Sequence, residues 1–346
     1  MKKIFIEIKK TKIWYLFLYF IFIPIFNFLW TNIINFKGRM VFFRYKKKRN
    51  EKNIKYLDPK EDHKKIIRNS EKIKKLVNII DSHLNENFLN EMKSKIVSKN
   101  YEKDHYLFYK PSFQIDMFPY LSEELKFKIV AFIMDYDLID QAANYLGVMP
   151  VIGKIALNLN VPIPNSSERG SMLWHKDDFG YKTVDFFVPI KEVNINNGPL
   201  YFEKKNSLGV FHKYTNIIKD PKKGERNKIE IDEFKKKVND NNIEIFTGNA
   251  GDALMIDSFS CYHRGGFCKN QERIMLRICF HTPDSIDMMH KVNHNNIFRY
   301  SQLYKKNDKN LHEFQKHLLF YRSKIIYKLK IPQLLMIIFR LLHFKE

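Results

Sequence analysis

Thr183-Val184-Asp185-Phe186-Phe187-Val188-Pro189-Ile190 is the run on which the fold turns. It is rich in β-branched and aromatic residues, which suit a pleated, buried surface. Asn196-Asn197-Gly198-Pro199 follows as a strong turn, and Pro199-Leu200-Tyr201-Phe202-Glu203 reads as the returning strand. Working outward, residues 154–160 and 171–176 read as strands before this pair, and 243–246, 253–256, 260–263 and 273–281 as strands after it. Residues 205–241 read as an insertion with one helix around 231–238. Many short strands between turns mean a sandwich or jelly roll rather than a parallel sheet.

The strand before the central run ends in Trp174-His175-Lys176-Asp177-Asp178. On a strand, a two-residue spacing points His175 and Asp177 to one face, so an imidazole and a carboxylate can share an ion. The odd offset of Asp178 points it to the other face. A distant Tyr262-His263-Arg264-Gly265-Gly266 offers a second imidazole in His263. Two imidazoles and a carboxylate make a facial triad that suits non-haem Fe(II) and leaves positions open for a cosubstrate and oxygen. His-x-Asp by itself is commonly a surface hydrogen-bonded pair, so the weight rests on its company. Asp252 reads as a turn residue, and His212, His281, His290 and His294 lack partners at ligand spacing.

The 346 residues, 45% hydrophobic and 15% aromatic, exclude wholesale disorder and provide for a sizeable core with flanking helices. The net charge of +22 would suit nucleic acid or an anionic membrane, but the lysines are spread along the chain and form no nucleic-acid motif, so no nucleic-acid partner is expected. Three cysteines, Cys261, Cys268 and Cys279, describe neither a disulfide framework nor a Cys-x-x-Cys metal pair; they read as thiols in or near core strands.

Ahead of the β region, Ile66, Ile67, Ile73, Leu76, Val77, Ile80 and Leu84 fit an amphipathic helix, and 121–146 reads as further helix with Ser122 as its N-cap and Gly147 as its stop. Residues 13–30 carry no charge, with Trp14, Tyr15 and Trp30 near the ends and lysine-rich flanks. Such a run is expected to hold the protein at a membrane, either spanning it or, because of Pro24, lying on it. The heavier basic flank, Lys37 to Arg49, places the globular part on the cytoplasmic side. Near the C-terminus, 324–346 reads as a basic amphipathic helix. The expected organisation is a hydrophobic segment over 1–44, a helical region over 45–150, the β core over 151–285, and a basic helical tail over 286–346.

In order and spacing, Trp174-His175-Lys176-Asp177, Phe186-Phe187-Val188-Pro189-Ile190, Asn197-Gly198-Pro199-Leu200, Gly251-Asp252-Ala253-Leu254, His263 and Arg273-Ile274-Met275-Leu276-Arg277 resemble the phytanoyl-CoA dioxygenase-like family of Fe(II)/2-oxoglutarate-dependent oxygenases. The resemblance covers roughly residues 145–283. It implies a double-stranded β-helix, or jelly roll, as the mainly β core of an α+β fold. It also implies iron on His175, Asp177 and His263, 2-oxoglutarate on Arg273, and O2 as the oxidant. The implied activity is that of a dioxygenase hydroxylating a small-molecule or lipid-linked substrate, with succinate and CO2 as coproducts. Lys204-Lys205-Asn206-Ser207 departs from the family pattern after Gly-Pro-Leu, which bears on the substrate entrance. Strand parity does not choose between Arg273 and Arg277 as the 2-oxoglutarate ligand, since both face one side. The interval from His263, near the family's own, selects Arg273 and leaves Arg277 to pair with an acidic neighbour or a substrate anion. The rival readings are a membrane-attached, non-catalytic binding protein on the same scaffold and a zinc hydrolase using the same three ligands.

Overall fold

The computed structural model describes residues 23–49, 64–97, 113–162, 168, 170–177, 183–204, 228–284 and 311–319. The β region alternates between two antiparallel sheets. β3 (Val151–Asn160), β5 (Thr183–Pro189), β9 (Ala253–Ile256) and β11 (Arg273–His281) lie in one; β4 (Trp174–His175), β6 (Leu200–Glu203), β8 (Ile243–Phe246) and β10 (His263–Gly265) lie in the other. Three short strands extend the edges: β1 (Lys64–Ile67) and β2 (Gln114–Asp116) in the first sheet, β7 (Lys228–Ile229) in the second. The orders are β1-β9-β5-β11-β3-β2 and β7-β4-β10-β6-β8. Eight strands that keep crossing between two facing sheets are a jelly roll, as expected.

Strand alternation builds three layers of core. Val184, Phe186 and Val188 of β5 and Ile274, Leu276, Ile278 and Phe280 of β11 face a helical layer. The alternate side chains Phe187 and Met275 face inward, meeting Leu200, Phe202 and Phe246 of the second sheet. Outside the second sheet, Trp174, Ile229 and Tyr262 pack on Phe234 of the short helix α6 (Ile231–Lys235). Each fully buried side chain of this size contributes roughly 1.5–3 kcal/mol, so register slips are strongly opposed.

The helical layer comprises α1 (Ile23–Lys48), α2 (Glu71–Asp81), α3 (Glu86–Val97), α4 (Glu123–Ile133) and α5 (Tyr136–Leu146). Ser122 caps α4 by accepting a hydrogen bond from Leu125 N, and Gly147 closes α5 in the left-handed region at φ 68°. Three expectations are corrected. The helix expected over 66–84 begins only at Glu71: Ile66 and Ile67 lie in β1, paired with Leu254 and Ala253 of β9. Asn69, at φ 52°, turns the chain and Ser70 caps the helix that follows. The expected helix over 121–146 is two helices, because Asp135 adopts an extended conformation and caps α5 through Asp137 N. The strand expected over 171–176 is limited to Trp174–His175, after a 3-10 turn over Gly170–Met172.

α1 crosses the boundary expected at residue 44. Ile34, Val41, Phe42 and Tyr45 are buried, and Tyr45 Oη donates to Asp140 of α5 at 2.7 Å. Most of the uncharged run 13–30, and all of 324–346, lie outside the described residues. Among the described residues no helix is long and apolar enough to cross a membrane.

Candidate metal centre

His175 and His263 are directly opposed partners of the antiparallel pair β4–β10. Their inward direction is set by their neighbours: Trp174 stacks on Phe234 outside the sheet, ring centroids 4.1 Å apart, and Tyr262 packs on the same ring at 5.4 Å. Alternation then turns both imidazoles inward, with centroids 4.5 Å apart. Asp177 arrives two residues beyond His175, its backbone N–H held by Ser258 O at 2.9 Å. Its Oδ1 lies 3.8 Å from His175 Nε2 and its Oδ2 3.9 Å from His263 Nε2. Among the described residues this is the group of His, Cys, Asp and Glu side chains whose ligand atoms converge, all within 4.8 Å.

Each ring is oriented by the carbonyl two residues before it. His175 Nδ1 donates to Leu173 O at 2.7 Å and His263 Nδ1 to Cys261 O at 3.1 Å. A carbonyl can only accept, so in the neutral ring Nε2 carries the lone pair, as metal ligation requires. Bonds of about 2.1 Å at right angles would bring ligand atoms to about 3 Å, so the set, which spans up to 4.8 Å, would fit a first-row dication after contracting by about 1–2 Å. No thiolate competes. Cys261 donates to Glu203 O, Cys268 to Asn197 O, and Cys279 meets His281 Nε2, while burial pushes all three thiols up from their ordinary pKa. They are core thiols, as expected, and His281 is a buried structural residue.

Asp177 is held from behind by Arg277, whose Nη2 donates to Oδ2 at 2.5 Å. The same guanidinium forks onto Asp185 of β5, Nε to Oδ1 at 2.8 Å and Nη2 to Oδ2 at 2.9 Å. Burial alone would raise the Asp177 pKa, but Arg277, then His263 and His175, outweigh it and hold the carboxyl well below the usual range. Asp177 is therefore ionised at neutral pH. Arg277, expected to pair with an acidic neighbour or a substrate anion, meets two carboxylates, whereas Asp185 escaped the sequence reading as part of the centre. The available signal was a carboxylate at an inward position of an otherwise apolar strand.

Arg273 has a different environment. It is 7% exposed, its Nη1 donates to Gly198 O, and its Nε has no hydrogen-bond partner. No carboxylate pairs with it among the described residues, and burial pushes its pKa down from the ordinary value. Its guanidinium lies over Gly265, where an added Cβ would sit 3.2 Å from Nη2. Gly265 is two residues past His263 on β10, so the cation stands about 7 Å along the strand from the imidazole. Gly198 sits at φ 77°, and an added Cβ would meet Gly266 O at 2.5 Å, so the turn that receives Arg273 requires glycine. Asp252 is a turn carboxylate bound by Asn69 N, Asn249 N and Arg68.

No family model matches the chain, and no curated protein matches it in sequence. Among solved structures it is similar to the non-heme alpha ketoglutarate dependent carbocyclase SnoK from nogalamycin biosynthesis, at 12% identity and TM-score 0.40, over 66% of this chain and 82% of that one. It is also similar to AviO1 from Streptomyces viridochromogenes Tue57, at 13% and 0.39, over 67% and 94%. A third is EctD from S. alaskensis with 2-oxoglutarate and 5-hydroxyectoine, at 15% and 0.39, over 64% and 73%. Likenesses this distant assign no family.

Proposed function

We propose that this chain is a non-haem Fe(II)/2-oxoglutarate-dependent oxygenase of the phytanoyl-CoA dioxygenase-like kind, hydroxylating a small-molecule or lipid-linked substrate. The observation that carries the reading is the buried Arg273, which has no acidic partner among the described residues and lies over Gly265, two residues past His263. Burying a cation without an anion costs several kcal/mol, and a bound carboxylate is the natural compensation. A guanidinium fork takes a carboxylate through two parallel hydrogen bonds, which fixes the cosubstrate's direction as well as its charge. The fork weighs against a zinc hydrolase using the same three ligands, and the intact ligand set weighs against a membrane-attached, non-catalytic binding protein.

In this reading His175, Asp177 and His263 hold the iron, and Arg273 anchors a carboxylate of 2-oxoglutarate. Iron with 2-oxoglutarate supplies the means of activating O2. The chain supplies orientation: the carbonyls of Leu173 and Cys261 fix the rings, and Arg277 keeps Asp177 ionised. The apolar inner wall of Phe187, Leu254 and Met275 limits the access of water beside the site. The experiment is anaerobic loading with Fe(II), followed by succinate release measured against O2 uptake over a substrate panel. One tightly held iron and coupled succinate formation are expected, with His175→Ala abolishing iron retention while the fold persists. Full iron occupancy in that variant, or substrate turnover independent of 2-oxoglutarate, overturns the reading.

A further inference from the structure

The exposed face of α1 carries four large apolar residues: Ile33 at 68% exposure, Phe36 at 63%, Met40 at 38% and Phe43 at 56%. Their spacing of three, four and three residues puts them on a single stripe. Isolated exposed apolar side chains are ordinary, but four on one stripe of one helix are not. At about 100° per residue, Arg44, Lys37 and Lys48 border the stripe on one side, Arg39 borders it on the other, and Lys47 falls in line with it. The helix sequence Ile23–Lys48 contains no aspartate or glutamate. The opposite face is committed to the protein. Ile34, Val41, Phe42 and Tyr45 are buried, and Gly38 lies so close to Val148 that an added Cβ would approach its Cγ2 at 2.5 Å.

We propose that this face of α1 is an in-plane docking surface for an anionic lipid bilayer. The stripe enters the headgroup–acyl boundary, and the flanking lysines and arginines reach outward to lipid phosphates and carboxylates. Three observations favour a bilayer over a protein partner. The charges that the helix itself brings to both borders of the stripe are basic, which matches an anionic plane; Arg44 is paired with Glu313 at 2.8 Å, so Lys37, Arg39, Lys47 and Lys48 carry the charge argument. Long basic side chains beside a stripe can lay their stems on the acyl boundary and keep their charges in the headgroups. The stripe also continues, in chain order, the uncharged run that ends at Trp30. A crossing orientation does not suit the part of α1 from Ile34 to Tyr45, which is packed on α5 and residues 148–149. The bilayer would therefore lie against the helical layer, on the side of the molecule away from the five-stranded sheet. This inference stands apart from the metal reading.

The test uses the full chain with a polarity-sensitive fluorophore on a single introduced cysteine. The native cysteines are buried, so labelling at Phe36→Cys or Phe43→Cys is selective. With phosphatidylserine-containing vesicles, both positions should shift to the blue and be quenched by acyl-chain quenchers. Label at Ile245→Cys, exposed on the five-stranded sheet, should do neither. The double reversal Arg39→Glu/Lys47→Glu should weaken binding to those vesicles by about tenfold or more. Vesicle binding without a shift at Phe36→Cys and Phe43→Cys would place the contact elsewhere and overturn the proposal. So would undiminished binding of the charge-reversed variant. A shift that depends on protein concentration without vesicles would make the occupant a second copy of the chain, which also overturns it.

Discussion

Arg277 Nη2 donates to Asp177 Oδ2 at 2.5 Å while Nε and Nη2 fork onto Asp185, so the carboxylate of the triad is positioned by a largely buried guanidinium. Removing one member of such a cluster strands the others in a low-dielectric interior. Arg277→Gln should therefore cost roughly 3–5 kcal/mol of stability. Arg277→Lys should retain more of that stability but weaken metal affinity, because a point charge cannot serve both acids in the same geometry. Thermal unfolding and Fe(II) titration read the two effects. At saturating iron, the 2-oxoglutarate requirement of Arg277→Lys should be nearly unchanged.

The complementary variant is Arg273→Lys. Replacing the fork with an ammonium should raise the 2-oxoglutarate KM steeply, by about tenfold or more, with iron affinity retained. If Arg277→Lys raises the KM and Arg273→Lys does not, the two roles are exchanged.

Gly265→Ala tests the same arginine from outside. Its Cβ would stand 3.2 Å from Arg273 Nη2, so the guanidinium must shift by a few tenths of an ångström. The expected result is a weaker 2-oxoglutarate interaction with His263 still able to bind metal. An unchanged KM would show that the arginine absorbs the shift.

Tyr145 Oη donates to the buried Asp257 Oδ2 at 2.6 Å, and Asp257 also accepts from Phe259 N, Ser260 N and Ser260 Oγ. That turn presents Ser258 O to the backbone of Asp177 and leads into His263. Tyr145→Phe leaves Asp257 short of a donor and should destabilise the fold by about 1–3 kcal/mol. Metal affinity should fall as well, although Tyr145 is not a ligand. Chemical denaturation and metal titration separate the two.

His317 is buried in the segment 311–319, with Nε2 donating to Met149 O at 3.1 Å. Burial lowers its pKa from 6.5 to about 4, with the Met149 hydrogen bond opposing and Lys37 assisting. Because the folded value lies below the unfolded one, the stabilisation is fully present above pH 6.5. It is lost as pH falls through about 4. The loss is on the order of 3 kcal/mol. The measurement is the difference in acid unfolding between the wild type and His317→Gln, which should show a flatter profile between those pH values.

Alternation and turn chemistry were local enough to read from the chain. The inward set Arg273, Met275, Arg277 and Cys279 and the outward set Ile274, Leu276, Ile278 and Phe280 follow from a period of two, and the structure divides them so. The same period marked His175 with Asp177, and Asn196-Asn197-Gly198-Pro199 announced its turn. Where a short local signal competes with a longer pattern, the chain was less legible. Asn69 and Ser70 cut Ile66 and Ile67 out of an apparent helix, and Asp135 divides 121–146 in two.

The composition of the pocket's charges was decided only by tertiary structure. Arg273 and Arg277 share a strand face, and nothing in their own neighbourhoods distinguishes them. Asp185 comes from β5 and Asp177 from the chain beyond β4, and both meet Arg277. Gly265 from β10 and Gly198 from a turn meet Arg273 and bring it no counter-charge. Pairing energy depends on distance and burial between segments far apart in sequence, about 75 to 100 residues here. Residue type and period therefore determined which side chains face the interior, and strand pairing determined which cation meets carboxylates and which meets none among the described residues.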